Sequence, residues 1–362
     1  MSEQKISRRR YLKYAGAGIV AIAVAGAGAY YATRPGPTTT PPTTTLARTT
    51  TVIPTSAKLF RIAAITSGGP TAEWNIVIKD GFDKAMAYYK SKGTNLDSTF
   101  DFNIGYGDIE SELTAYASKQ YDMIIACDVG YESAVAKIAK EFPNTQFFGV
   151  SFSGELGDNI GTWGWDVWEG YYPAGVVAGA MSKTGIIGMV EAFDFPQSAM
   201  GFNAFKAGAE LINPEVKALY AFTNDWHDPA KGHQAAASLI AAHADVLTGM
   251  GNGFTDGTIL EADKNKLMAI GYLVDAYDLA PKTVLTSVLW DAEPYYIQGI
   301  ADAMKGEIGH KKYYLKIYPD KVCSLAPYHG NVPDDVQAKI SPILDKIWSG
   351  ELQPPEITTF PK

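Results

Sequence analysis

Residues 60–70 read Phe60-Arg61-Ile62-Ala63-Ala64-Ile65-Thr66-Ser67-Gly68-Gly69-Pro70, a short apolar run that halts at a Gly-Gly-Pro turn. Such a run, closed by turn residues, predicts a buried strand. Directly after it Trp74, Ile78, Phe82, Ala85 and Tyr89 recur every three or four positions, the spacing of a helix with one apolar face. The cadence continues with strands expected over 99–106, 121–126 and 146–151 and helices over 109–119 and 132–141. It restarts after a helix over 174–181, with strands over 185–190, 216–222, 246–249 and 268–272. Helices through 202–211, 229–243 and 257–264 separate them. No two-residue hairpin turn joins neighbouring strands, so the pattern predicts parallel pairing with helices on both faces of each sheet. The fold class is α/β, with two doubly wound parallel-sheet domains in series. Ligands of such sheets sit beyond the carboxyl ends of the strands, and a crevice between two domains is a favoured place.

Around this body the chain runs to 362 residues, more than one compact core usually holds. A composition of 46% hydrophobic and 19% charged residues excludes wholesale disorder. Only one stretch, Tyr14 to Ala32, is long and apolar enough to cross a bilayer, which excludes a multi-span permease. It follows Ser7-Arg8-Arg9-Arg10-Tyr11-Leu12-Lys13, and a basic segment before an apolar one is an export device. The pattern resembles the twin-arginine signal, and the apolar run has the length of an uncleaved anchor. No cysteine follows it, which closes the bacterial lipoprotein route. Thr and Pro dominate from Pro35 to about Thr55, the composition of an extended stalk. Seven basic side chains and one acid lie in the first 56 residues; subtracting that +6 from the net charge of -8 leaves about -14 on the body. An acidic body offers no electrostatic footprint for nucleic acid. Cys127 and Cys323 are too few for a disulfide framework or a zinc site, although one bridge between them is open to an exported chain.

The body carries no phosphate-loop, zincin or nucleophile-elbow motif; Gly249-Met250-Gly251-Asn252-Gly253 lacks the third glycine of a dinucleotide fingerprint. The five histidines show no close metal spacing. His227, Asp228 and His233 could gather a metal, but surface and capping roles are commoner for such scattered groups. No metal or cofactor is therefore expected, and nothing in the chain asks for an enzyme. What stands out is aromatic residues where strands end: Trp74 with Asn75 after the first turn, Tyr131 after Asp128-Val129-Gly130, Trp226 in Thr223-Asn224-Asp225-Trp226-His227-Asp228, and Trp290 closing Thr286-Ser287-Val288-Leu289-Trp290. Buried aromatics are most often plain core. Repeated placement at strand ends favours a slot for a flat ligand, gripped by Trp74 from one domain and Trp226 from the other. Base–aromatic stacking is worth ~1–3 kcal/mol per base. Asn75, Asp128 and Asp275 are the candidates for reading a ligand's polar edge.

Five segments carry a family resemblance: Tyr172-Pro173-Ala174-Gly175-Val176-Val177-Ala178-Gly179, Thr184-Gly185-Ile186-Ile187-Gly188, Phe202-Asn203-Ala204-Phe205-Lys206-Ala207-Gly208-Ala209 with Asn213-Pro214, Trp226-His227-Asp228-Pro229-Ala230-Lys231, and 279–287. Together they resemble the basic membrane protein family, the PnrA-like substrate-binding proteins of ABC importers, over residues 59–305. The resemblance implies a periplasmic-binding-protein type I fold with three hinge crossings between two lobes. The expected lobes are 57–166 with 277–315, and 167–276 with 316–362, behind a signal or anchor at 1–34 and a stalk at 35–56. It implies a monomeric, extracytoplasmic binder anchored to the outer face of the membrane, with no enzymatic activity and no cofactor. Its partners would be a purine nucleoside or free nucleobase and the ABC permease and ATPase subunits. By the same resemblance Trp74 and Trp226 occupy the stacking positions, and Asn75 and Tyr131 fall in ligand-contacting loops. Nucleoside binders of the family hold ribose with an Asp and a Lys at positions that here are Leu273 and Trp290. Asp275 keeps a carboxylate nearby, which tips the expectation toward a nucleoside. The Trp before Pro294-Tyr295-Tyr296 resembles the free-base branch. A ligand-hydrolysing or transferring enzyme on the same architecture and a sensor or adhesion ectodomain on the same stalk are the alternatives.

Overall fold

Apolar runs of four to six residues, too short to bury a helix face, become the inner strands of two sheets. The computed structural model describes residues 58–150, 156–164 and 166–361; the expected leader, anchor and stalk lie outside the described residues. The first sheet begins with β1 (Phe60–Ile65), whose last four residues are wholly buried. Helix α1 (Glu73–Ser91) follows, then β2 (Leu96–Asp101), α2 (Ile109–Ser118), β3 (Met123–Ala126), α3 (Glu132–Ile138), β4 (Gln146–Val150) and β5 (Ile160–Trp163). The second sheet uses β6 (Ile186–Glu191), β7 (Lys217–Phe222), β8 (Val246–Gly249), β9 (Met268–Leu273) and β10 (Val284–Trp290). Around it lie α4 (Tyr171–Met181), α5 (Pro196–Glu210), α6 (Pro229–Ala241) and α7 (Phe254–Lys264). After α8 (Glu293–Lys305) the chain adds β11 (Lys312–Tyr313) to the first sheet and β12 (Cys323–Leu325) to the second, then ends on α9 (Asp334–Trp348).

The strand orders are β2-β1-β3-β4-β5-β11 and β7-β6-β8-β9-β10-β12. Every pairing is parallel except β10 with β12. The chain passes between the sheets three times: after β5, after β10 and after β11. Among the described residues no helix is long and apolar enough to cross a membrane.

Three local differences from the sequence pattern have physical causes. The strand expected over 99–106 ends at Asp101, because Asn103 adopts a left-handed φ of 63° and folds the chain back onto the loop after β1. There the backbone N–H groups of Asn103 and Ile104 donate to Gly68 and Thr66. The lobe boundary expected at 277 is corrected: β10 pairs with β9, so residues 284–290 belong to the second sheet and the crossing follows Trp290. Strands β11 and β12 have two and three residues, too few to leave a hydrophobic period.

Two glycines of the quoted segments are explained by packing. A Cβ on Gly175 would lie 2.0 Å from the carbonyl oxygen of Phe205, and one on Gly208 would lie 1.9 Å from that of Tyr172. Helices α4 and α5 therefore touch backbone to backbone, and only glycine admits that approach.

Candidate ligand-binding cleft

Trp74 is the second residue of α1 and stands where the β1 loop delivers it. Its indole Nε1 donates to the Cys127 carbonyl at 2.8 Å, tying α1 to the end of β3. Its backbone N–H donates to Asn252 Oδ1 at 3.1 Å, a bond from the first lobe to the loop between β8 and α7 of the second. Its ring lies nearly parallel to Trp290, with centroids 5.4 Å apart and 12° between planes, and to Trp163 at 5.9 Å and 9°. Trp163 and Trp290 in turn are 6.0 Å apart and 3° from parallel. Three indoles from α1, β5 and β10 thus form one group contributed by both sheets. Trp163 closes β5 as Trp290 closes β10, so its place at a strand end was the sequence signal for it. The indole N–H of Trp163 is buried without a hydrogen bond, and that of Trp290 lies near the Tyr295 hydroxyl without bonding geometry.

Trp226 sits in the loop after β7, half-buried against Phe193 at 5.6 Å and Phe195 at 5.7 Å. Both phenylalanines belong to the loop between β6 and α5. Asp225 shapes this loop by accepting from the backbone N–H of His227 and Asp228, and Asp228 then caps α6 through the N–H of Ala230 at 2.8 Å.

The polar candidates of the first lobe are engaged with their own loops. Asn75 is buried: its Oδ1 accepts from the Thr66 hydroxyl and its Nδ2 donates to the Gly69 carbonyl, both at 2.8 Å. Asp128 accepts from the Gly130 N–H at 3.1 Å, the Tyr106 hydroxyl at 3.0 Å and the Ser67 hydroxyl. Tyr131, expected at the ligand, is wholly buried in the core between α2, α3 and the sheet, with its hydroxyl donating to the Ile104 carbonyl. An amphipathic ring one turn past a strand end is drawn inward where its hydroxyl finds an acceptor in the loop before α2. Asp275 accepts from the Tyr277 N–H at 3.1 Å and meets His329 Nε2 at 2.7 Å, while the His329 ring stacks on Tyr277.

Leu273 has φ of 60°, and the Val274 N–H donates to the Tyr272 carbonyl around it. A branched apolar residue held in the left-handed region is strained, and such strain gathers where binding sites lie. Leu273 and Trp290 are both buried, on neighbouring strands.

Two acids also meet across the cleft, one from the start of α1 and one from the start of α7. The Glu73 carboxyl is pushed up to about 8, first by burial and then by the charge of Asp256. Asp256 is raised too, by burial, with its bond to Glu73 opposing. Behind the cleft, the crossing after β5 is strapped to the crossing after β11. Asp166 accepts from the Tyr295 hydroxyl at 2.7 Å and the Leu315 N–H at 3.2 Å, and Glu169 accepts from the Ile317 N–H. Cys127 and Cys323 are unpaired and buried, Cys127 beside Tyr296 and Cys323 against the Asp166 carbonyl. Among the described residues no group of His, Cys, Asp and Glu is placed to hold a metal.

Two parallel-dominated sheets joined by three crossings are an architecture that solved structures share. An ABC transporter solute-binding protein of Conexibacter woesei superposes with a TM-score of 0.64 at 22% identity, covering 82% of this chain and 99% of that one. A transcriptional activator of Bacillus halodurans superposes at 0.68 and 20% identity, covering 82% and 100%. The architecture is that of type I periplasmic binding proteins. The profile of the family described as ABC transporter substrate-binding protein PnrA-like matches residues 74–356, and the chain belongs to that family. A purine-binding protein of Brucella abortus is 31% identical over 265 residues, 72% of this chain and 74% of its own length.

Proposed function

We propose that this protein is the extracytoplasmic receptor of an ABC importer for a purine, and that the ligand is the free base in preference to the nucleoside. The observation that carries the reading is the indole group at the mouth of both sheets, with Trp74 fixed in orientation by Trp163, Trp290 and its bond to Cys127. A planar heterocycle stacks on Trp74 as the lobes close, and Trp226 meets its other face from the second lobe. The likeness to a purine-binding protein supports the ligand class. Base over nucleoside is supported by three residues. Leu273 and Trp290 are apolar and buried where ribose would need a carboxylate and an ammonium, and Asp275 is already held by His329 and the Tyr277 N–H. Lys231, the cation beside the Trp226 loop, is already paired with Asp225 at 3.0 Å, so a phosphate would be poorly compensated there and a neutral ligand is favoured.

Delivery to a permease, with the body tethered by its N-terminal segment, completes the proposal. Closure draws its free energy from the contacts the ligand makes with both lobes at once. Calorimetry with adenine, hypoxanthine, guanine and adenosine tests the reading. Trp226→Ala and Trp74→Ala should each weaken the preferred purine by about five- to 150-fold, since a stacking contact is worth ~1–3 kcal/mol. Unchanged affinity in both variants would remove the stacking grip, and adenosine binding tighter than adenine would restore the nucleoside.

A further inference from the structure

The second lobe holds a polar feature that the fold does not use. Strand β6 reads Ile186-Ile187-Gly188-Met189-Val190-Glu191, an apolar strand that ends on an acid. Glu191 is 1% exposed, and neither of its carboxyl oxygens has a hydrogen-bond partner. Ser198, in the first turn of α5, is fully buried with its hydroxyl also unpartnered, and Gln197 Oε1 beside it is in the same state. Ser198 is near enough to favour the ionised form of Glu191, but the two do not meet in hydrogen-bonding geometry. Strand alternation sets the direction. Ile187 and Met189 face the core shared with α4 and α5, Val190 faces the opposite core, and Glu191 therefore emerges on the α5 side at the carboxyl end of the strand. From there the chain runs directly into Phe193 and Phe195, the ring partners of Trp226.

Leaving buried polar atoms unpaired costs about 1–3 kcal/mol for each group, more for a charged one, so such a cluster needs an explanation. We propose that Glu191, with Ser198 beside it, is the specificity-determining residue of the cleft, and that its carboxyl pairs with the edge of an aminopurine base where an exocyclic N–H lies next to a ring nitrogen. The inference rests on the purine reading and adds the substrate class within it. Burial holds the Glu191 carboxyl well above the ordinary carboxylate range, which favours its neutral form. A neutral carboxyl presents one O–H donor beside one C=O acceptor. That pair matches the acceptor and donor of an aminopurine edge with two parallel hydrogen bonds. The same site leaves an unpaired acceptor against a purine whose amino group is replaced by methyl.

The experiment compares adenine with 6-methylpurine, which has the same outline but no exocyclic donor, by calorimetry on the full-length protein and on Glu191→Ala, Glu191→Met and Glu191→Gln. The wild-type protein should prefer adenine by about tenfold or more. Alanine and methionine should erase that preference, costing adenine more affinity than 6-methylpurine, which meets the Glu191 O–H through its ring nitrogen alone. Glutamine, whose amide also offers a donor beside an acceptor, should retain it. Circular dichroism checks that each variant is folded. Equal losses for both ligands, or an undiminished preference in the alanine and methionine variants, would overturn the role of Glu191 and leave the purine reading standing. Tightest binding of a 6-oxopurine, with Glu191→Ala changing its affinity no more than that of 6-methylpurine, would also overturn it. Wild-type protein that binds none of these bases would remove the purine reading itself.

Discussion

The two lobes treat the polar side chains of their cleft loops differently, although each leaves one indole N–H, of Trp163 and of Trp290, buried without a hydrogen bond. In the first, Asn75 and Asp128 spend their hydrogen bonds on Thr66, Ser67, Gly69, Tyr106 and Gly130, so the loops after β1 and β3 are fastened before any ligand arrives. In the second, Glu191, Ser198 and the Trp290 indole N–H are buried and unbonded. A loop that satisfies itself makes a rigid platform, while unsatisfied groups wait for a partner from outside. On the proposed purine reading, the contrast gives the two halves different work: the first would supply most of a preformed stacking surface, and the second discrimination.

The largest expected effect comes from Trp290, because it joins the two halves of the comparison. Trp290→Ala should remove ~3–5 kcal/mol of stability, as emptying a buried tryptophan site does, and should weaken ligand binding as well. Denaturant melts with and without ligand separate the two losses. Asn75→Ala attacks the platform alone. Leaving the Thr66 hydroxyl and the Gly69 carbonyl unpaired should cost about 2 kcal/mol of stability. A destabilisation within error of zero would break the claim that this lobe is fastened by its own bonds.

The pH dependence is a smaller effect and tests the contact between lobes. Glu73 has its carboxyl raised from 4.5 to about 8, so the folded protein holds that proton more tightly than the unfolded chain. The proton's stabilisation is present in full below the unfolded pKa and is lost as pH rises through the folded one. The melting temperature of the ligand-free protein should therefore fall by roughly 4 °C between about pH 5 and 8, and Glu73→Gln should flatten the slope. A wild-type profile that rises over this window would contradict the shared burial of Glu73 and Asp256. The smallest effect belongs to Asp275. Its partner His329 is partly exposed, so Asp275→Asn should change stability by less than about 1 kcal/mol and leave purine affinity unaltered. A marked loss of affinity for adenosine alone would place a sugar beside it.

Much of the sheet was legible because strands buried on both faces read as bare apolar runs between turn residues, as Ile62–Ile65 and Met123–Ala126 do. Trp74, Trp226 and Trp290 were legible as aromatics at strand ends. Tyr131 shared that placement yet turned inward, because the Ile104 carbonyl beneath it lies 27 residues away in sequence and appears only once the loops pack. Glu191 was missed for a related reason: an acid at the end of an apolar strand reads as the first solvated residue of a loop, and nothing in the sequence marks the burial that α5 imposes on it.

The sequence by itself determined the alternation of strand and helix and the family. These follow from local hydrophobic period and from ordered motifs read along the chain. Tertiary structure alone decided which sheet receives β10, which indoles stack on Trp74, and which polar groups are left without partners. Each of those depends on the meeting of chain segments far apart in sequence, and hydrogen-bond satisfaction is a property of the assembled neighbourhood and not of any one residue.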